Sequence, residues 1–247
     1  MAEETRRDLS NSIYKLIGYD RETRKVRIGL LAEKTHPYIK EKMAHMLGHI
    51  GFSTQDAKDI VEKTWLDTPE DFKVKLMADM RSLFGRLKAK NIKVAICTAD
   101  SREGTEMFVQ RMHLEPLVDM LVCGDDPGCK PKPDPHNALF ICDKLGVDPM
   151  NAVMVGDTPA DTIMGQAANL GLTIGVESGI GFKKDLTHAD IIVKSVNDVV
   201  DMVTPHFDAG SGQYIYKEFY TINVTTRGIY KIANRGSFLK PKNNVQQ

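Results

Sequence analysis

The sequence predicts an α/β protein, a Rossmann-like parallel sheet wound with helices on both faces, carrying a small helical cap. Three observations lead there. Apolar, strand-like runs alternate with helical stretches from about residue 76 to residue 203, the pattern of strands joined by helical crossovers. Val153, Met154 and Val155 are apolar at consecutive positions, as in a strand buried on both faces. Several of these runs end in a polar turn that opens a helix, and in open α/β sheets that is the end where ligands sit. The expected organisation is a helical cap over 1–75, incomplete on its N-terminal side, an α/β core over 76–207, and a basic extension over 208–247.

Residues 1 to about 68 read as mostly helical, with an irregular piece from Tyr19 to Lys34. Within it the loop Leu30 to Thr35 is a candidate for shaping a pocket. His45 and His49 stand one helical turn apart and could share a metal. Gly48 between them and the lack of a third ligand nearby favour a solvated helix face. Trp65 with Leu66 reads as a packing anchor at the end of the cap. From Glu70 to Lys90, Phe72, Leu76, Met80, Leu83, Phe84 and Leu87 follow helical spacing, so one helix is expected to return the chain to the core.

Lys93 to Cys97 make a short strand with Thr98 at its tip, and Asp100 or Ser101 can cap a helix running to about His113. A hydroxyl at that tip, with the backbone N–H groups of Ala99 and Asp100 beside it, can hold a phosphate oxygen at a helix N-terminus. An ordinary strand-end threonine is the alternative. Leu121 to Cys123 form the next strand, followed by a loop carrying Lys130 and Lys132 and stiffened by prolines 131, 133 and 135. Asp134 and Pro135 open a helix to Leu145. A lysine on so rigid a loop can present a fixed positive charge to an anion, where a lone loop lysine is usually solvated.

After Val155, Gly156 permits a sharp turn, Thr158 can cap the following helix, and Pro159 suits its first turn. Asp157 then stands at the carboxyl end of a strand, in outline a phosphate or metal site. Asp161 is either its companion or half of a capping box with Thr158. Gly165, Ala167 and Ala168 allow that helix to pack closely on the sheet. Strands at Thr173 to Val176 and Ile191 to Val193 follow, then a helix from Val196 to Val203. Glycines 175, 179 and 181 do not match a dinucleotide-binding loop and read as a flexible rim.

In order, Thr98, Lys130, and Asp157 with Asp161 resemble the second, third and fourth motifs of the haloacid dehalogenase-like hydrolases. These are mostly phosphatases of small phosphorylated metabolites, and the phosphoglycolate phosphatase-like members are the most similar in style. The likeness runs from roughly Leu76 to Val203 and includes the stretches KPKPDP, VGDTPAD and GLTIGV. It implies that Thr98, with the N–H groups of Ala99 and Asp100, binds the transferring phosphoryl group. It also implies that Lys130 steadies nucleophile and phosphate as a catalytic residue, that Asp157 ligates Mg²⁺, and that Asp161 supports the metal or its waters.

The departure from that pattern is as informative. Such enzymes begin with a strand ending in Asp-x-Asp-x-Thr, and no such motif occurs here. Asp8 and Asp20 follow no apolar strand, and the run Val26 to Leu31 ends in Ala32, Glu33 and Lys34. Phosphoryl transfer by this route needs a carboxylate nucleophile and a positioned acid, so the chain is expected to be inactive as written. The missing strand would lie between those ending at Thr98 and Gly156, and leaving its slot empty would strand N–H and C=O groups at ~1–3 kcal/mol each. Either another segment fills the slot or the sequence is a truncated product. A non-catalytic relative that binds a phosphometabolite or a protein partner is the alternative function.

Charge and cysteines narrow the classes further. Lys plus Arg equals Asp plus Glu at 33 each, so no general field draws the chain to nucleic acid or to an anionic membrane. Four cysteines without a CxxC pair fit a reduced, cytoplasmic setting. The charged N-terminus lacks an apolar signal region, and no stretch reaches the ~18 apolar residues needed to span a bilayer. Residues 211–247 hold six Lys or Arg against one Glu, a net of +5. Tyr214 to Val224 is rich in aromatic and branched residues and reads as an added edge strand, in a tail expected to be unstructured or loosely docked. Base stacking by its aromatics is the less favoured alternative.

Overall fold

The computed structural model describes residues 3–23, 25–26, 29–30, 34–65, 73–203, 206–208, 213–215, 221–224 and 230–233. At the N-terminus, α1 (Glu3–Ile17), the paired β1 (Tyr19–Asp20) and β2 (Lys25–Val26), α2 (His36–His49) and α3 (Thr54–Thr64) form the helical layer. Thr35 leads into α2 and Pro37 stands in its first turn, while the Ser53 hydroxyl caps α3 by accepting from the Asp56 N–H. Ala44, Leu47, Ala57 and Val61 make a small core of their own, with Leu9, Met43, Phe52, Ile60 and Trp65 against it. His45 and His49 lie on the exposed side of α2, ring centroids 4.5 Å apart. Leu66 and Phe72 lie outside the described residues.

The expected long helix over 70–90 is shorter than its spacing implies. Lys73–Leu76 is a strand, β3, and the helix α4 runs only from Met80 to Lys88. Asp79 sets the start by accepting a hydrogen bond from the Ser82 N–H, a cap that outweighs continued apolar periodicity. Met80, Leu83, Phe84 and Leu87 are all buried, as their spacing predicts.

The core then alternates β4 (Lys93–Cys97), α5 (Arg102–Arg111), β5 (Met120–Val122), α6 (His136–Leu145), β6 (Ala152–Gly156), α7 (Pro159–Ala167), β7 (Leu172–Val176), β8 (Ile191–Val193) and α8 (Val199–Val203). Ser101 is the cap of α5. The helix expected over 196–203 begins as a 3₁₀ turn, Val196–Asp198. Alternate residues of each strand feed opposite faces. Val94, Ile96, Val153 and Val155 pack with α4 and α8 residues, whereas Ala95, Cys97 and Met154 pack with Ala138, Ile141 and Met164 of α6 and α7. A sheet covered on both sides follows, with ~1.5–3 kcal/mol for each large apolar side chain fully buried.

After α8 come β9 (His206–Asp208), β10 (Gln213–Ile215), β11 (Thr221–Val224) and β12 (Tyr230–Ala233). The central sheet runs β5-β4-β11-β6-β7-β8, and every pairing in it is parallel. Thr221 to Val224 therefore lie between β4 and β6, with Val224 level with Ile96 on one side and Val155 on the other. The edge strand expected from Tyr214 to Val224 is corrected: its last four residues are central. The tail is also less loose than expected, because β12 pairs with β3 and β10 with β9, both antiparallel. The reason is the ladder itself, since two buried strand edges left unpaired would strand N–H and C=O groups that β11 satisfies.

Candidate functional site

The carboxyl ends of β4, β11 and β6 lie side by side, and the connections from β4 and β6 run outward in opposite directions, the arrangement that opens a crevice in such sheets. Thr98 follows β4 and is buried. Its N–H donates to the Val122 carbonyl at 2.9 Å, and its Oγ1 accepts from the Asp100 N–H at 3.0 Å and donates to Asp100 Oδ2 at 3.1 Å. Of the donors expected beside Thr98, the Asp100 N–H is thus turned onto the threonine itself, with Ala99 between them. Gly124 is essential to this corner: a Cβ there would lie 2.3 Å from the Ala99 carbonyl oxygen.

The loop after β5 is fastened to α5. Arg102 grips Asp126 with two parallel hydrogen bonds of 2.5 and 2.6 Å and donates to the Leu121 carbonyl at 3.1 Å. This holds the Asp126 carboxyl below the usual carboxylate range. Further along, Asn137 clamps the backbone of Lys130, accepting from its N–H at 3.0 Å and donating to its carbonyl at 2.7 Å. The Lys130 side chain is left half exposed, 3.8 Å from Asp134.

Lys132, not Lys130, enters the site. Its side chain is 5 % exposed, and its ammonium donates to the Cys97 carbonyl at 2.9 Å and to Asp161 Oδ1 at 2.8 Å. The lysine that the structure places beside Asp161 is therefore not Lys130, for which the catalytic and phosphate-binding role was expected, but Lys132, two residues further along the chain. The sequence holds the pattern Lys-Pro-x-Pro twice, from Lys130 and from Lys132, and spacing alone does not choose between them. The Asn137 clamp, which fixes the backbone at residue 130, makes the choice.

Asp161 is buried, and both its oxygens are engaged: Oδ1 by Lys132, and Oδ2 by the N–H and hydroxyl of Thr158 at 3.1 and 2.7 Å. It is the cap partner of Thr158 and the counter-charge of Lys132, so with both oxygens engaged within the protein the support expected of it for the metal or its waters would run through those contacts. Gly156 makes this possible, because a Cβ there would lie 2.1 Å from the Asp161 Cβ.

Asp157 is different. It is fully buried at the end of β6, its Oδ2 accepts from the Ile180 N–H at 2.6 Å, and its Oδ1 has no hydrogen-bond partner. Burial first and the Asp161 charge second push its pKa up to about 6, against the Ile180 N–H and Lys132. A buried, partnerless carboxylate oxygen is what a cation would satisfy. Among the described residues no group of three His, Cys, Asp or Glu could enclose a metal. One carboxylate completed by phosphate and water still suits Mg²⁺.

Among the described residues, the buried cysteines near the site offer no thiolate to take the place of an attacking aspartate. Cys97 lies nearest the lysine, and burial pushes its thiol up to about 11, while burial takes Cys123 to about 12. Neither is a thiolate at neutral pH. The residues that follow β11 in sequence, Thr225, Thr226, Arg227 and Gly228, include no carboxylate.

Residues 13–169 match the family model of haloacid dehalogenase-like hydrolases. This chain belongs to that family. It is 29% identical over 176 residues to the pyrophosphatase PpaX of Bacillus pumilus, covering 67% of this chain and 81% of that protein. To the phosphoglycolate phosphatase of Escherichia coli it is 27% identical over 135 residues, 53% of this chain and 52% of the relative. The chain thus spans only about half the length of that relative. Among solved structures, CbbY from Rhodobacter sphaeroides in complex with phosphate superposes with a TM-score of 0.55 at 21% identity, over 80% of this chain and 89% of that one. A structure described as a predicted phosphoglycolate phosphatase from Haemophilus somnus gives 0.56 at 15%, over 80% and 91%. Both share the fold. Among the described residues no helix is long and apolar enough to cross a membrane.

Proposed function

We propose that this protein binds small phosphorylated metabolites together with Mg²⁺ in the crevice between β4 and β6, and that its 247 residues do not hydrolyse them. The observation that carries this reading is the buried, partnerless Oδ1 of Asp157 beside the Lys132–Asp161 pair. Thr98 would hold a phosphoryl oxygen, Lys132 would supply fixed positive charge, and Asp157 would be the carboxylate ligand. When bound, the metal would neutralise phosphate charge and orient it. A phosphatase reading of the same site is supported by the family and by the names of the relatives. Hydrolysis by the family's route, however, needs an attacking carboxylate, and the segment in the central slot brings none. The buried thiols suit the cytoplasmic setting expected from the cysteine pattern.

Isothermal titration of the whole chain with inorganic phosphate in Mg²⁺ tests the pocket. Binding that needs Mg²⁺ and is lost in Asp157→Asn and Thr98→Val is expected. Binding that survives both substitutions, or none in the wild type, contradicts the reading.

A further inference from the structure

Among the described residues, Lys25 links the helical layer to the Asp157 side of the crevice. Lys25, on β2, donates from Nζ to the Gly181 carbonyl at 2.8 Å and to the Glu177 carbonyl at 3.5 Å, with its ammonium 5.9 Å from the centre of the Phe182 ring. These three partners belong to the loop after β7. The same loop supplies the Ile180 N–H that holds Asp157 Oδ2 at 2.6 Å. The loop also packs directly on the carboxylate, since a Cβ at Gly179 would lie 2.1 Å from that oxygen and one at Gly181 would lie 1.9 Å from the Asp157 carbonyl oxygen. No slack exists between the loop and Asp157, so a shift of the loop must alter how the carboxylate is held.

We propose that Lys25 is a positioning residue for Asp157. By gathering two carbonyls of the 177–182 loop onto one ammonium, it fixes the Ile180 N–H against the carboxylate and leaves Oδ1 aimed for a cation. The placement of β2 over the loop and the readiness of Asp157 are then one property. Two backbone carbonyls held by a charged donor make a stronger tie than neutral contacts would, and the tie crosses from the N-terminal layer to the core, 156 positions apart in sequence for Gly181. Partners that orient a ligand in this way typically cost ~10–100-fold in metal affinity when removed.

The test uses the full chain with Lys25→Met, Lys25→Arg and, as a control for lost charge, Lys42→Met. Hydrogen exchange followed by mass spectrometry reads the latch without any ligand. Lys25→Met should raise exchange in 177–182 while β4 and β6 stay protected, Lys25→Arg should restore the wild-type pattern, and Lys42→Met should not change it. Unchanged protection of 177–182 in Lys25→Met overturns the proposal. The second readout rests on the binding reading above: Mg²⁺-dependent affinity for inorganic phosphate should fall by about tenfold in Lys25→Met and recover in Lys25→Arg. Equal affinity in wild type and Lys25→Met overturns the latch but leaves the pocket standing. Absence of binding in the wild type overturns the pocket, and the exchange result still decides the latch.

Discussion

Lys132 Nζ lies 2.8 Å from Asp161 Oδ1, both residues almost wholly buried, and this pair ties the loop after β5 to the first turn of α7. Two lysines two positions apart thus have opposite fates. Breaking a buried pair from one side leaves an uncompensated charge, at a cost of about 3–5 kcal/mol. Lys130, 54% exposed and 3.8 Å from its carboxylate, is worth little by comparison. Lys132→Met should therefore lower stability by several kcal/mol in urea unfolding, and Lys130→Met should leave it within ~0.5 kcal/mol of wild type. Equal effects would reverse the assignment of the site lysine.

Asp157 makes stability depend on pH in a defined direction. Its pKa is raised in the folded state, from 3.8 to about 6, so the folded chain holds the proton more tightly than the unfolded one. The contribution is fully present below about pH 4 and is lost as pH rises through about 6. Without metal, Asp157→Asn should gain on the order of 2–3 kcal/mol at pH 7 relative to wild type and remove the slope between pH 4 and 6. Mg²⁺ should restore wild-type stability above pH 6 and do nothing for the variant. Thermal melts across that range, with and without Mg²⁺, measure both effects.

The position of β11 can be tested through its backbone. Ile222 is level with Val94 and with Val153, so proline there breaks a ladder with partners on both sides. Ile222→Pro should cost at least ~1–3 kcal/mol and disturb the protection of β4 and β6 in hydrogen exchange. The same change at Tyr214, in the two-stranded pair with β9, should cost less and leave β4 and β6 unaffected. If Ile222→Pro also leaves β4 and β6 unaffected, the strand is not central.

Much of the fold and of the site is legible in the sequence. Val153 to Val155, with Gly156, Thr158 and Pro159, spell a buried strand, a turn and a capped helix, so Asp157 could be placed at a strand end from local chemistry alone. Thr98 and the helix capped by Ser101 follow in the same way. Lys132 is hidden by a repeated motif whose register is set by an asparagine seven residues beyond Lys130, a contact that spacing alone does not announce. Asp79 ended a helix that apolar spacing extended toward residue 70. Thr221 to Val224 gave no sign of their place, because a short run of mixed polarity names no partner, and only the empty slot between β4 and β6 asked for one.

The central claim is that the crevice keeps the phosphate-holding groups of its family while the strand at its centre brings no attacking carboxylate. Steady-state hydrolysis of p-nitrophenyl phosphate and phosphoglycolate by the purified 247-residue chain in Mg²⁺ tests it most directly. The account predicts no Mg²⁺-dependent release of phosphate above that of Asp157→Ala. Robust turnover in the wild type that disappears in Asp157→Ala would contradict it.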